Sequence, residues 1–332
     1  MFWMRNCKNL SQFFVQRNII HVSKLNTNAI AAHVSNINNP LVLDLTLGVG
    51  NTANKLLSLH DNLRVIGVDC DPKSEDCIDK LSGLFGPRFS GHISKWSNIS
   101  QILHNEGESN MCDVILIELG PSQGQLKDDS RGFDASKDNA LDMRYDQIGD
   151  TVEIAQLIKF AEFDDLRKIL KTYGGVVKAN AVARELVERR YLLDEIRTTK
   201  HLTNILKNLH QQVKSIILNI DNTKYFQDRF WVERGSEEMN ENIENTYLAL
   251  RIFANNEVNE LQYAVEKAEI VLNKGGVLVT EAESEHEKNL VKKIVFRNAG
   301  NITSQSSEDH YQQRSNWKIL SIEENTTVFC KI

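Results

Sequence analysis

The sequence predicts an α/β fold, a doubly wound sheet interrupted by an all-helical insertion. Three observations carry this. Residues 41–119 alternate short apolar runs with helix-like segments, and such alternation builds a parallel sheet because each crossover needs a covering helix. Residues 146–245 change texture, with apolar side chains at helical spacing and no proline after Pro121. Strand-like runs then resume toward the carboxyl end, and 332 residues suffice for a large core.

Taken in order, LVLDLTLGVGN (41–51) reads as a buried strand feeding a tight turn, and TANKLLSLH as the helix after it. LRVIGVDCDP (63–72) is a second strand ending in Asp69 and Asp71, with Pro72 suited to open a helix. PRFSGHISKWSNISQIL supplies a weaker strand and a helix, and CDVILIEL (112–119) is the clearest strand. TVEIAQLIKFAEFDDLRKILKTYGG, VVKANAVARELVERRYLL and TTKHLTNILKNLHQQVKSIILNI read as helices of the insertion. RGSEEMNENIENT (234–246) reads as an exposed acidic loop and TYLALRIFANNEVNELQYAVEKAEIVL as one long helix. NKGGVLVTEAES is then a strand, HEKNLVKKIVFRNAG a helix, and WKILSIEENTTVFCKI a closing strand or hairpin.

Composition narrows the function. The chain is 41% apolar and 25% charged, ordinary for a globular protein, and its net charge of −6 argues against coating a polyanion. Any nucleic-acid contact must be a local basic patch, for which Lys159, Lys168, Lys171, Lys178, Arg184, Arg189 and Arg190 are candidates; a solvated helix face is the plainer reading. Five cysteines without CxxC or Cys/His spacing point to a reduced compartment and no metal. No stretch has the apolar length of a membrane span. Met1–Leu43 contains no acidic residue but holds Arg5, Lys8, Arg17 and Lys24, the composition of a mitochondrial transit peptide; a frayed basic terminus is the alternative. The expected division is a transit segment over 1–20, a sheet domain over 21–145 and 246–332, and the insertion over 146–245.

The chemistry starts at D44-x-T-x-G48-x-G50, which follows a strand and opens a helix. Glycines at Gly48 and Gly50 let backbone N–H groups approach a ligand, at the positive end of a helix. Asp69 ends the next strand, where a carboxylate can accept from both ribose hydroxyls. The full dinucleotide fingerprint is missing, since position 53 is Ala, so a ligand with one adenosine and no pyrophosphate fits better: S-adenosylmethionine. An α/β fold with merely structural acids and turn glycines remains open. Trp96 has two readings, core residue or neighbour of an adenine ring.

After Glu118 comes LGPSQGQLKDDSRGFDASKDNALDMRYD, and here the chain resembles the MraW/RsmH-type methyltransferases, in its mitochondrial branch. RGF followed by LDMR is the specific part. HVSKL (21–25), DLTLGVGNT, VDCDP, ALRIFANNEVNEL and QRSNWKIL (313–320) resemble further family motifs in the same order. The resemblance implies a Rossmann-like S-adenosylmethionine methyltransferase sheet and N4-methylation of a cytidine in small-subunit ribosomal RNA. Its cofactor contacts fall on Gly50, Asn51, Thr52, Asp69, Trp96, Glu118 and Gln125, and Trp96 becomes an adenine neighbour. The charged run would lie over the strand ends, with Arg131, Phe133 and Arg144 meeting RNA and Asp142 accepting from the cytosine amine; the alternative is a loop whose Arg–Asp pairs lock one another. That amine is a poor nucleophile, so acceptors at the fourth strand end, Glu118 and the Ser122 hydroxyl, would have to localise its lone pair. The implied partner is small-subunit ribosomal RNA or the assembling subunit, with no membrane and no metal.

Departures cluster at ligand-facing ends. Asn51-Thr52 replaces Gly-His, Glu118 replaces Asp, Ser122-Gln123-Gly124 replaces Ser-Ser-Pro, and Asn245-Thr246 replaces Arg-Thr. TEAESEHE (280–287) stands where the family has its S-F-H-S-L-E-D run, with Glu283 near the His position. They leave a second reading, a weakly active or non-catalytic ribosome-assembly protein of the same fold.

Overall fold

The computed structural model describes residues 26–107, 112–149, 151–192, 196–219, 235–297, 316–323 and 325–332. The expected transit segment 1–20 and the HVSKL run lie outside these residues. The chain divides into two compact units, one running to Ser122 and resuming at Val258, the other spanning Gln123–Glu257.

The first unit is built on seven strands: β1 (Leu41–Asp44), β2 (Arg64–Asp69), β3 (Phe89–Ile93), β4 (Cys112–Glu118), β5 (Leu272–Glu281), β6 (Trp317–Glu323) and β7 (Thr326–Lys331). Their order is β3-β2-β1-β4-β5-β7-β6. β1 to β5 pair in parallel, and β7 runs antiparallel between β5 and β6, so the closing segment is a hairpin. The order reverses direction between β1 and β4, and open sheets of this kind bind ligands at the carboxyl ends beside such a reversal. Helices α1 (Thr27–Val34), α2 (Asn51–Leu59), α3 (Glu75–Phe85) and α4 (Ile99–Asn105) belong to the same unit. Two apolar layers sandwich the sheet. Leu43, Ile66, Ile115 and Leu278 face one; Val42, Val65, Val114 and Val277 face the other. Strands buried on both faces read as continuous apolar runs, which is why 41–43, 65–68 and 114–117 were legible.

The second unit holds α5 (Gln123–Lys127), α6 (Ile154–Phe160), α7 (Phe163–Gly174), α8 (Ala179–Leu192), α9 (Thr199–Asn219) and α10 (Gly235–Ala254). Its own core contains Leu166, Leu170, Ala183, Leu186, Leu202 and Leu250. The expected insertion, 146–245, lies inside this unit. The unit is wider because Leu141 and Met143 of the charged run join the helical core.

Two local expectations need correcting. Residues 235–246 are helical, forming the first part of α10. The long helix expected after them is two, α10 and α11 (Glu257–Val271), because Asn256 takes a left-handed φ of 53° at the junction. Among the described residues no helix is long and apolar enough to cross a membrane.

Candidate active site

The first unit gathers its polar groups at the carboxyl ends of β1, β2 and β4. Gly50 caps α2 in the left-handed region at φ 74°. A Cβ there would overlap the Cys77 sulfur and stand 2.8 Å from Leu81 Cδ1, so only glycine lets the turn pass. The Gly48 amide donates to Asp69 Oδ2 at 2.6 Å and the Asp71 amide to Oδ1 at 2.8 Å. The Ser74 hydroxyl also donates to this carboxylate, so three of its roughly four acceptor positions are taken and one is left for a ligand hydroxyl. The glycine turn and the strand-end carboxylate therefore converge, as the spacing predicted. Burial pushes the Asp69 carboxyl up, against the two backbone bonds that favour its charge.

Trp96 opens a short 3₁₀ turn after β3, half-buried, with its indole N–H donating to the Leu45 carbonyl at 2.5 Å. One edge is thus anchored to the end of β1. Glu118 ends β4; its amide donates to Thr46 Oγ1 at 2.9 Å, and its Oε1 accepts from Thr52 Oγ1 at 3.1 Å. Thr52 is buried and Asn51 exposed. Ser122 lies against the glycine turn, its Cβ 3.3 Å from where a Gly48 Cβ would stand.

Asp44 belongs with this group, although sequence reasoning placed it in the motif and not in the site. It is buried; Oδ1 accepts from the Thr46 amide at 3.1 Å, and Oδ2 has no hydrogen-bond partner among the described residues. Burial, followed by repulsion from Glu118, pushes its carboxyl up to about 8. A buried unpartnered acceptor is costly, and with Asp69 and Glu118 nearby it suits a ligand that brings positive charge. S-adenosylmethionine, with a sulfonium, an ammonium and a ribose, fits this donor set.

The remaining expected residues lie in the second unit. Gln125 is buried in α5. Arg131, expected to meet RNA, is fully buried, and its Nη2 donates to the carbonyls of Arg144 at 2.8 Å and Tyr145 at 2.9 Å. It ties the two ends of the charged run together, and burial removes it from phosphate. Asp142, expected to accept from cytosine, is also occupied. Oδ1 takes the Arg144 amide and Nε at 3.1 and 2.6 Å; Oδ2 takes Arg144 Nη2 and Gln147 Nε2, both at 2.9 Å. A carboxylate offers about four acceptor positions, and all four are filled. Burial pushes its carboxyl up, and the bonds from Arg144 and Gln147 outweigh that and hold it below the usual range. Arg144, forked onto Asp142, is turned to the same structural task.

Phe133 stacks on Tyr145 with ring centroids 5.3 Å apart. Gly132 sits at φ 72°, where a Cβ would overlap the Ala140 carbonyl oxygen; this is why RGF needs its glycine. Met143 is buried at φ 60°, rare for a residue with a side chain. Asn255, which sequence reasoning missed, spans it: Nδ2 donates to the Met143 carbonyl and Oδ1 accepts the Tyr145 amide, both at 2.7 Å. Its place in ALRIFANNEVNEL was the available signal. Among the described residues no group of His, Cys, Asp and Glu is arranged to hold a metal.

A model described as the MraW methylase family matches residues 18–320. A Drosophila melanogaster protein named "Probable methyltransferase-like protein 15 homolog" is 30% identical over 276 residues, 81% of this chain and 73% of that one. The human 12S rRNA N(4)-cytidine methyltransferase METTL15 is 28% identical over 259 residues, 77% of this chain and 60% of that one. A Culex quinquefasciatus protein named "Putative receptor-type tyrosine-protein phosphatase mosPTP-1" is 27% identical over 264 residues, 79% of this chain but only 17% of its own length.

Proposed function

Since the chain belongs to the MraW methylase family, we propose that it transfers a methyl group from S-adenosylmethionine to N4 of a cytidine in mitochondrial small-subunit ribosomal RNA. The observation that carries the reading is the 2.6 Å bond between the Gly48 amide and Asp69, which joins a bare-backbone turn to a hydroxyl-binding carboxylate. The substrate follows from the name of the human relative, a 12S rRNA N(4)-cytidine methyltransferase, and the organelle from the acid-free, basic amino-terminal stretch.

The residues would divide the work. Asp69 holds the ribose, Trp96 flanks the adenine, and Asp44 faces the cationic part. S-adenosylmethionine would supply an electrophilic methyl on its sulfonium. Glu118, steadied by Thr52, and Ser122 would accept from the exocyclic amine and localise its lone pair for in-line attack. Holding those acceptors in a site shielded from water strengthens them. In the second unit, Phe133 and the surface around it would meet RNA, while Arg131, Asp142 and Arg144 shape the turn behind them.

Mapping N4-methylcytidine in mitochondrial ribosomal RNA with and without the protein tests the reaction; a unique cytidine losing its mark is the expected result. A thermal-shift series with S-adenosylmethionine tests the cofactor. Binding to the folded state alone must raise stability by about 2.7 kcal/mol at a hundredfold excess over Kd. No shift at saturating ligand would favour the non-catalytic reading.

A further inference from the structure

We infer that Phe160 and Tyr191 form a stacking platform for unpaired bases of an RNA strand, resting on the RNA reading above. Both rings lie in the second unit and neither joins its core. Phe160, the last residue of α6, is 68% exposed, and Tyr191, in the final turn of α8, is 77% exposed. Rings this large are normally covered, and an uncovered aromatic with a cation beside it is the arrangement that single-stranded nucleic acid uses.

Arg190 joins the two. Its Nη1 donates to the Ile158 and Ala161 carbonyls at 3.2 and 2.6 Å, on either side of Phe160, and its Nη2 to the Tyr191 hydroxyl at 3.3 Å. The guanidinium carbon also lies 5.1 Å from the Tyr191 ring centroid. Lys159 Nζ lies 5.4 Å from the Phe160 centroid. Each ring thus has a positive group over it within cation–π range, close enough to meet the phosphate of a nucleotide stacked on the exposed part of the ring. A protein partner would be better met by a continuous apolar patch; here the apolar surface is broken by cations. Exposed acids at Glu162 and Glu188 limit how many phosphates the surface can hold, so stacking and not charge sets the affinity.

The test uses the full chain, a fluorescent single-stranded oligocytidylate of about a dozen nucleotides, and isolated small ribosomal subunits. Phe160→Ala and Tyr191→Ala should each weaken oligonucleotide binding roughly tenfold, the double variant more, and Phe160→Trp should retain it. Thermal stability and the shift with S-adenosylmethionine should not change, because both side chains are exposed and outside the cofactor group. Wild-type affinity in the double variant overturns the platform while leaving methyl transfer standing. Lost binding to subunits with unchanged binding to the oligonucleotide also overturns it and assigns the surface to a protein. A wild-type chain that binds neither oligonucleotide nor S-adenosylmethionine overturns both readings.

Discussion

Asp44 has one oxygen bonded to the Thr46 amide and the other buried without a partner among the described residues. Its carboxyl, ordinarily at 3.8, is pushed up to about 8 by burial and then by Glu118. A folded pKa above the unfolded one means that the folded state holds an extra proton between those values. This contribution to stability is complete below the unfolded value and is lost as pH rises through about 8. Asp44→Asn should therefore raise the melting temperature of the ligand-free protein by an amount that grows from about pH 4 and is largest above about pH 8, read by calorimetry across pH. A cationic ligand should draw the ionised form, so S-adenosylmethionine should bind more tightly as pH rises toward 8 and release a proton. Titration calorimetry in buffers of different ionisation enthalpy reads that proton; no release would remove Asp44 from the cofactor site. Asn255 has the opposite character. Removing its amide leaves the Met143 carbonyl and Tyr145 amide without these bonds, so Asn255→Ala should cost about 2–4 kcal/mol in denaturant unfolding. At this scale Asp69 and Gly48 were legible, because strand-end position and spacing fix them. Arg131 and Asp142 were not, because the charged residues of a motif read alike whether they face solvent or lock a loop. Only tertiary burial separates the two.

The acidic run 280–287 shows the same limit at the level of an element. Its carboxylates stand where the family pattern has a histidine, and charge alone would set them against RNA. In the structure Ser284-x-x-Glu287 is a capping box opening α12 (Glu285–Arg297). Ser284 Oγ donates to Glu287 Oε2 at 2.7 Å, and the Glu287 amide donates back to Ser284 Oγ at 3.1 Å. The buried Glu287 carboxylate is held by its own helix start. Glu287→Ala should lower stability by about 1 kcal/mol, while oligonucleotide affinity stays where it was; a gain in RNA binding would mean that this carboxylate repels the strand. The S-x-x-E spacing is the signal for such a cap, and apolar side chains at helical spacing marked α6 to α9. The α10 to α11 break has no such mark. NEVNELQY continues the helical periodicity of ALRIFA, and one left-handed Asn256 interrupts it without glycine or proline to announce the bend. Within the loop expected over 234–246, residues 235–246 are helix for a related reason. Their polar sequence carries Ile243, four residues before Tyr247 of the next run, and both side chains are buried in the helical core.

Charge is the property of the whole chain that bears on how it could hold RNA. A net charge of −6 opposes a polyanion at long range, and several basic residues of the helices are paired with acids already. Arg189 pairs with Glu185 at 2.7 Å, Lys168 with Asp165 at 3.8 Å, and Arg167 with Asp164 at 3.2 Å. Such pairs contribute little stability at an exposed surface, but they neutralise the field that would otherwise draw phosphates. A protein in this state cannot depend on counterion release. For single strands the logarithm of affinity falls with the logarithm of salt at about −0.7 per phosphate contacted, so two or three contacts give a slope of about −2. Fluorescence anisotropy with the oligocytidylate, from roughly 50 to roughly 300 mM salt, should return that shallow slope. A slope steeper than about −5 would mean that a broad basic surface binds the strand, and the stacking account would then be wrong on electrostatic grounds even if both rings contributed.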